Sequence, residues 1–327
     1  MRVADPELHH AFRPMSHQVE QYGPKQGQIF INSLGAKDES CRKVSPMAQG
    51  LRVAVFGDSF AEGWGLPFDE SVPGQLRRLL APRRVEVLGF GISSHCPSLT
   101  ERWMKKLIRE GVHWDTALLL IDPGDSYDEK EVKPFLEGRK TMRRKNLPKF
   151  FRLRWYEYSL NYQLFRQIWE WLHPRNRPGL DLRQAARGNM WKVAWLDDPE
   201  ATPWFREGLE RSAEAVLRMK EIATQHGFSL IIVVYPYPKM MAENKLQNEY
   251  TEFWKHFCQV NGLPLVNLTP LFTGQDQPVE RTYLENFIPG DFHWNATGSA
   301  RIAEFLLPWT LKNLPVRQGA LLYNLPL

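Results

Sequence analysis

The chain has 327 residues, 43% of them hydrophobic and 24% charged, with a net charge of +5. That supplies a large core, and so mild a charge does not by itself indicate nucleic acid. Cys41, Cys96 and Cys258 lie far apart, which excludes a CxxC pair or a clustered cysteine metal site and leaves one disulfide or free thiols open.

Residues 1–50 read as a polar, irregular arm in which only Ile29-Phe30-Ile31 suits a strand. Leu51–Phe56 is a short apolar, β-branched run that suits a buried strand; it stops at Gly57 and presents Asp58, Ser59 and Phe60 just beyond. Ser71 is placed to cap a helix whose buried stripe is Val72, Leu76, Leu79 and Leu80. A second strand, Val85–Phe90, runs into GFGISSH, and Ser98-Leu-Thr-Glu101 matches a capping box ahead of a helix. Ala117–Ile121 is wholly apolar and predicts a central strand. Strand, helix, strand, helix, strand predicts a parallel α/β sheet.

The rhythm breaks between Asp128 and Phe205, where half of the chain's 12 tryptophans fall. A connection this long predicts an inserted, mostly helical cap over the strand ends. Within it Arg139, Lys140, Arg143, Arg144, Lys145, Lys149, Arg152 and Arg154 form a cationic run with no acidic residue between them. Such a run suits an anionic polymer, anionic lipid headgroups or plain solvation, and no nucleic-acid reading module accompanies it. The rhythm resumes with a helix over Arg206–His226, a fourth strand Ser229–Tyr235, a helix over Glu243–Val260 and a fifth strand Pro264–Leu268. A loop over 269–290 then delivers DFHWNATGSARIAEFL, Asp291 to Leu306, with Asn295 or Thr297 as cap of a closing helix. The longest apolar run, Leu230–Tyr235, is strand-sized, so no membrane span is expected.

The chemistry rests on the two ends of this pattern. A serine is a poor nucleophile without an adjacent base, and a histidine oriented by a carboxylate is the usual remedy near neutral pH. In an open α/β sheet, groups after the first and last strands meet above the same sheet edge. Ser59 therefore reads as nucleophile, His293 as base and Asp291 as the carboxylate that orients it, against the plainer reading of Ser59 as a helix cap. His95, after the second strand, is a rival base or a cleft residue. Trp64 and Trp294 are further cleft candidates.

With these residues in view, the chain resembles the SGNH hydrolase superfamily, also called the GDSL-type esterase/lipase family. Gly57-Asp58-Ser59-Phe60 and the turn Gly63-Trp64-Gly65 are similar to its nucleophile block, and Asp291-Phe292-His293-Trp294-Asn295 with Gly298 to its terminal block. The Asp-x-His spacing is that of bacterial polysaccharide O-acetylation proteins. The resemblance covers 51–127 and 206–307 and implies a three-layer parallel-sheet fold with a helical insertion. It implies an oxyanion hole from the amides of Ser59 and Gly91, with Gly124-Asp125 standing where the family has Asn-Asp. Gly124 brings no side-chain donor, though its amide could serve, and Asp125 suits bracing the loop or binding a sugar hydroxyl.

The domain reading is an arm at 1–50, a core at 51–127 and 206–312, a Trp- and Arg-rich cap at 128–205 and a tail at 313–327. The functional reading is serine-dependent O-acyl exchange on a carbohydrate, with O-acetyl transfer favoured over hydrolysis. The alternatives are a lipid or aryl esterase and a noncatalytic glycan-binding or assembly protein. The expected partners are an acylated glycan or acyl donor, which could be a membrane-bound acyl-donor protein, with no nucleic acid. Neither metal nor cofactor is expected. An extracytoplasmic site, with an anchor or export signal ahead of the arm, is favoured over the cytoplasm.

Overall fold

The structure, a computed structural model, describes residues 2–22, 25–138, 182, 185–186, 190–273 and 277–315. The basic run 139–154, most of the tryptophan-rich cap and the end of the tail fall outside these residues. Five strands form the parallel part of the sheet: β6 (Arg52–Phe56), β7 (Glu86–Gly89), β8 (Thr116–Ile121), β9 (Ser229–Val234) and β10 (Leu265–Asn267). All are short apolar runs, and β6 and β8 are buried along their whole length, as strands covered on both faces must be.

In the sheet, β6 lies between β7 and β8, with β9 and β10 beyond β8. The chain thus steps one way from β6 to β7 and the other way for β8. Such a reversal leaves a crevice at the strand ends, between the loops after β6 and β8. Helix Val72–Leu80 packs against the closing helix Ala296–Lys312, while helices Pro97–Arg109 and Asp125–Leu136 pack against the long helix Thr202–His226.

The expected all-parallel sheet is corrected to a mixed one, because the N-terminal arm is not irregular. A hairpin pairs β1 (Arg2–Asp5) with β2 (His9–Phe12). Then β3 (Ser16–Tyr22), β4 (Lys25–Ile31) and β5 (Lys37–Asp38) extend the main sheet antiparallel from β7, giving eight strands. Polar residues fit there because they satisfy one another. The Asn32 side chain accepts from the Leu34 and Ala36 amides at 2.9 and 3.1 Å and donates to Asp38 at 2.8 Å.

Three local expectations change. The helix beginning at Pro97 has Cys96 at its cap position and no capping box; the Ser98 amide donates instead to buried Glu129 at 2.9 Å. The helix expected from Glu243 starts at Glu249 behind a capping box at Asn248. The expected loop 269–290 contains a helix, Val279–Asn286. Ser71 and Asn295 do cap their helices. All three cysteines are free thiols. No helix among the described residues is long and apolar enough to cross a membrane.

Candidate active site

Strand β6 ends at Gly57, whose φ of +143° and whose closeness to Leu120, 2.7 Å from where a Cβ would sit to its carbonyl oxygen, leave room for glycine alone. The chain then turns directly into a one-turn helix, Ser59–Glu62. Its cap is Asp58, which accepts the Phe60 amide at 2.9 Å. Because Asp58 does the capping, Ser59 is not the cap, and its hydroxyl is half-buried at the end of the strand.

The other half of the site comes from 234 residues away. His293 Nε2 lies 2.8 Å from Ser59 Oγ, and His293 Nδ1 lies 2.6 Å from Asp291 Oδ1. The same Asp291 oxygen accepts the His293 backbone amide at 2.9 Å, so a one-residue spacer suffices to bring carboxylate and imidazole together. The Tyr283 hydroxyl donates to the Asp291 carbonyl at 2.9 Å, and Asn295 caps the next helix through the Gly298 amide at 2.9 Å. With the proton on Nδ1 facing Asp291, Nε2 is free to accept from Ser59. Asp58 Oδ2, 3.3 Å from Ser59 Oγ, is the more distant acceptor. Phe292 packs on His293 in a tilted arrangement with ring centres 3.9 Å apart, and the ring of half-buried Trp64 lies 6.3 Å away.

Gly91 lies against the backbone of the Ser59–Glu62 helix; a Cβ there would overlap the Glu62 amide nitrogen. Its neighbour Ile92 donates to the Gly57 carbonyl at 3.1 Å, which stitches the loop after β7 to the turn after β6. This brings Gly91 to the Ser59 helix, where backbone amides can serve a developing oxyanion.

The third side of the site differs from expectation. The Gly124 amide donates to the Asp122 carboxylate and is not free for an oxyanion. No side chain fits there either: a Cβ would sit 2.8 Å from Asp122 Oδ1 and 2.9 Å from both Lys192 Cδ and the Tyr237 hydroxyl. Asp125 braces this turn by accepting the Asp122 amide at 2.9 Å; buried, it is not exposed to a sugar.

Behind the serine lies a set of buried carboxyls. Tyr237 donates to Asp122 at 2.6 Å, and Tyr235 approaches Asp58 at 3.3 Å. Burial, then the Asp58 charge, pushes Asp122 well above the usual carboxylate range; burial, then Asp122 and Asp58, does the same to Asp125. The compensating cation is Lys192, 2.5 Å from Asp128. Burial alone would lower its ammonium pKa, but Asp128, Asp122 and Asp58 outweigh that and hold it above its ordinary value. Nothing in the sequence marks Lys192, one of several lysines in the inserted segment. Tyr235 and Tyr237 were findable, since they follow β9 at the ligand-bearing edge.

Two cleft candidates are corrected. His95 is fully buried with Nε2 2.9 Å from the His10 carbonyl, and burial lowers its pKa to about 4, so it holds the arm as a neutral ring. Trp294 is buried against Phe60 and Tyr235, with ring centres 4.6 and 4.8 Å away, and belongs to the core beneath the site.

No family model matches the chain, and no curated protein matches it in sequence. Several solved structures are similar. A member of the lipolytic protein G-D-S-L family from Veillonella parvula is 10% identical, with 81% of this chain and 100% of that one covered at a TM-score of 0.43. A GDSL-like lipase from Bacteroides thetaiotaomicron is 12% identical, with 81% and 91% covered at 0.41. The psychrotrophic esterase EstA from a Pseudoalteromonas species is 8% identical, with 80% and 97% covered at 0.43. The chain's own strand order, with serine after the first parallel strand and Asp-x-His before the last helix, has the α/β architecture that the sequence resemblance to SGNH hydrolases implies.

Proposed function

We propose that the protein is an SGNH-type serine acyl enzyme, with Ser59 as nucleophile, His293 as general base and Asp291 as its orienting carboxylate. The observation that carries this reading is the continuous contact Ser59 Oγ–His293 Nε2–His293 Nδ1–Asp291, at 2.8 and 2.6 Å. Ser59 Oγ attacks the ester carbonyl as His293 takes its proton; the carbonyl electrons move to oxygen, facing the amides of Ser59 and Gly91. The intermediate collapses, the alkoxide leaves with the proton from His293, and the acyl group stays on Ser59. A second hydroxyl, from water or a sugar, then gives its proton to His293 and takes the acyl group; the acyl–Oγ bond breaks and Ser59 Oγ leaves with the proton from His293.

At the coarser level this is esterase-type chemistry. The finer reading is O-acetyl transfer to a carbohydrate, supported by the Asp-x-His-Trp form of the terminal block and by Trp64 beside the catalytic imidazole, an aromatic face of the kind that packs on sugar rings. A glycan substrate and an acyl-donor partner at the cell envelope belong to the same reading.

An activated acetyl ester should leave one acetyl group on Ser59 in the intact protein and none in Ser59→Ala. Turnover should fall by about 10³-fold or more in that variant. Labelling that survives the substitution would overturn the mechanism. Candidate oligosaccharides that gain acetyl mass would support transfer; acetate release without mass gain would make water the acceptor.

A further inference from the structure

The N-terminal strands reach the back of the catalytic loops through one buried carboxylate. Glu62 closes the one-turn helix that starts at Ser59 and is 1% exposed. Its Oε2 accepts from both the amide and the hydroxyl of Ser93, at 2.8 and 2.7 Å. Ser93 sits two residues beyond Gly91, in the loop whose glycine packs on the Glu62 amide. One carboxylate therefore ties together the two backbone segments that carry the Ser59 and Gly91 amides.

A carboxylate buried this deeply needs counter-charge, and the arm brings it. Arg2 of β1 pairs with Glu62, and its guanidinium lies 4.7 Å from the Trp64 ring centre. Lys37 of β5, buried, donates to the Gly63 and Leu66 carbonyls at 2.8 and 2.6 Å, pinning the turn that carries Trp64. Burial lowers the Lys37 ammonium to about 8, opposed by the nearby Glu62 charge.

We propose that Glu62 is a positioning residue for the oxyanion site: it sets the separation of the Ser59 and Gly91 segments, while Arg2 of the N-terminal arm pairs with it and Lys37 pins the adjoining turn. The inference rests on the acyl-enzyme reading above. Glu62→Gln keeps the shape and one acceptor oxygen but turns an amide toward Arg2 or toward Ser93. Ser93→Ala removes a single hydrogen bond and leaves the charge pair intact.

The test measures kcat and KM for matched oxygen and thiono esters, whose sulfur is a poor acceptor for amide donors, with thermal melting of each variant. Wild type should favour the oxygen ester strongly. Glu62→Gln should lose about 10- to 100-fold in kcat on that ester with KM nearly unchanged, and its preference over the thiono ester should shrink. Ser93→Ala should move in the same direction by less. A folded Glu62→Gln or Ser93→Ala protein that keeps the wild-type kcat and oxygen-to-thiono ratio overturns the positioning role while leaving Ser59 as nucleophile. A wild type that never acylates Ser59 overturns both.

Discussion

Lys192 sits among buried carboxyls, pairs with Asp128 and opposes the rise that burial imposes on Asp122 and Asp128. Removing one member of a buried charge set leaves the others uncompensated, a loss of about 3–5 kcal/mol. Lys192→Met should therefore lower unfolding free energy by that order in urea titrations, with Lys192→Arg intermediate. At Gly124 the structure turns an apparent defect into a packing requirement. Gly124→Asn should give no gain in turnover and should cost about 1–3 kcal/mol, because the new side chain meets Asp122, Lys192 and Tyr237. The meeting of Ser59, His293 and Asp291 was legible because a serine just after the first parallel strand and an Asp-x-His before the last helix stand out by residue type and by place along the strand pattern. Glu62, Ser93 and Lys192 were not: a glutamate, a serine and a lysine acquire meaning only from what is buried beside them.

Among the elements, the parallel strands were readable from apolar runs, since a strand covered on both faces has little choice of residue. The outer part of the arm escaped because SHQVEQY is polar and lies at the sheet edge, where apolar content is not demanded, and HHAF because two histidines mask a strand that the fold buries. The supposed capping box at Ser98 failed because Pro97 fixes the first turn, while Glu101 is drawn to Lys105 and Arg218 at 2.5 and 2.9 Å. Asn295 shows how an element end serves the site. Its side chain caps the closing helix and donates to the Glu285 and Phe287 carbonyls, both at 3.0 Å, two residues from His293. Asn295→Ala should cost about 1–3 kcal/mol in chemical denaturation.

Across the whole molecule, the arm is docked by histidines that the fold keeps neutral. His10 contacts the Ser93 carbonyl at 2.7 Å, and His95 contacts the His10 carbonyl. Burial holds His95 at about 4 against an ordinary 6.5, and burial, then His95 and His9, holds His10 well below it. Between pH 6.5 and 4 the unfolded chain takes up protons that these folded rings refuse, so their contribution to stability is present above 6.5 and falls with pH. For His95 the whole fall is about 3 kcal/mol. Asp122, Asp125, Asp128 and Glu129, raised in the fold, act in the opposite sense. The histidine share is therefore read as a difference: comparing urea midpoints at pH 7 and 5, His95→Gln should lose less stability on acidification than wild type.

The antiparallel extension also sets an order in time. Strand β5 pairs with β7 at Lys37 and Gly89, so β3, β4 and β5 have no parallel sheet to join until residue 89 is in place. On its other side β6 waits for β8 at Thr116, and β8 in turn waits for β9 at Ser229. The β3–β4 hairpin can pair locally but has nothing to dock on until β7 exists, and the most apolar strands must wait for distant neighbours. In pulse-labelling refolding experiments, amides of β6 and β8 should gain protection before those of β3 and β4. The strands that precede β6 in the chain are those the finished sheet accepts last.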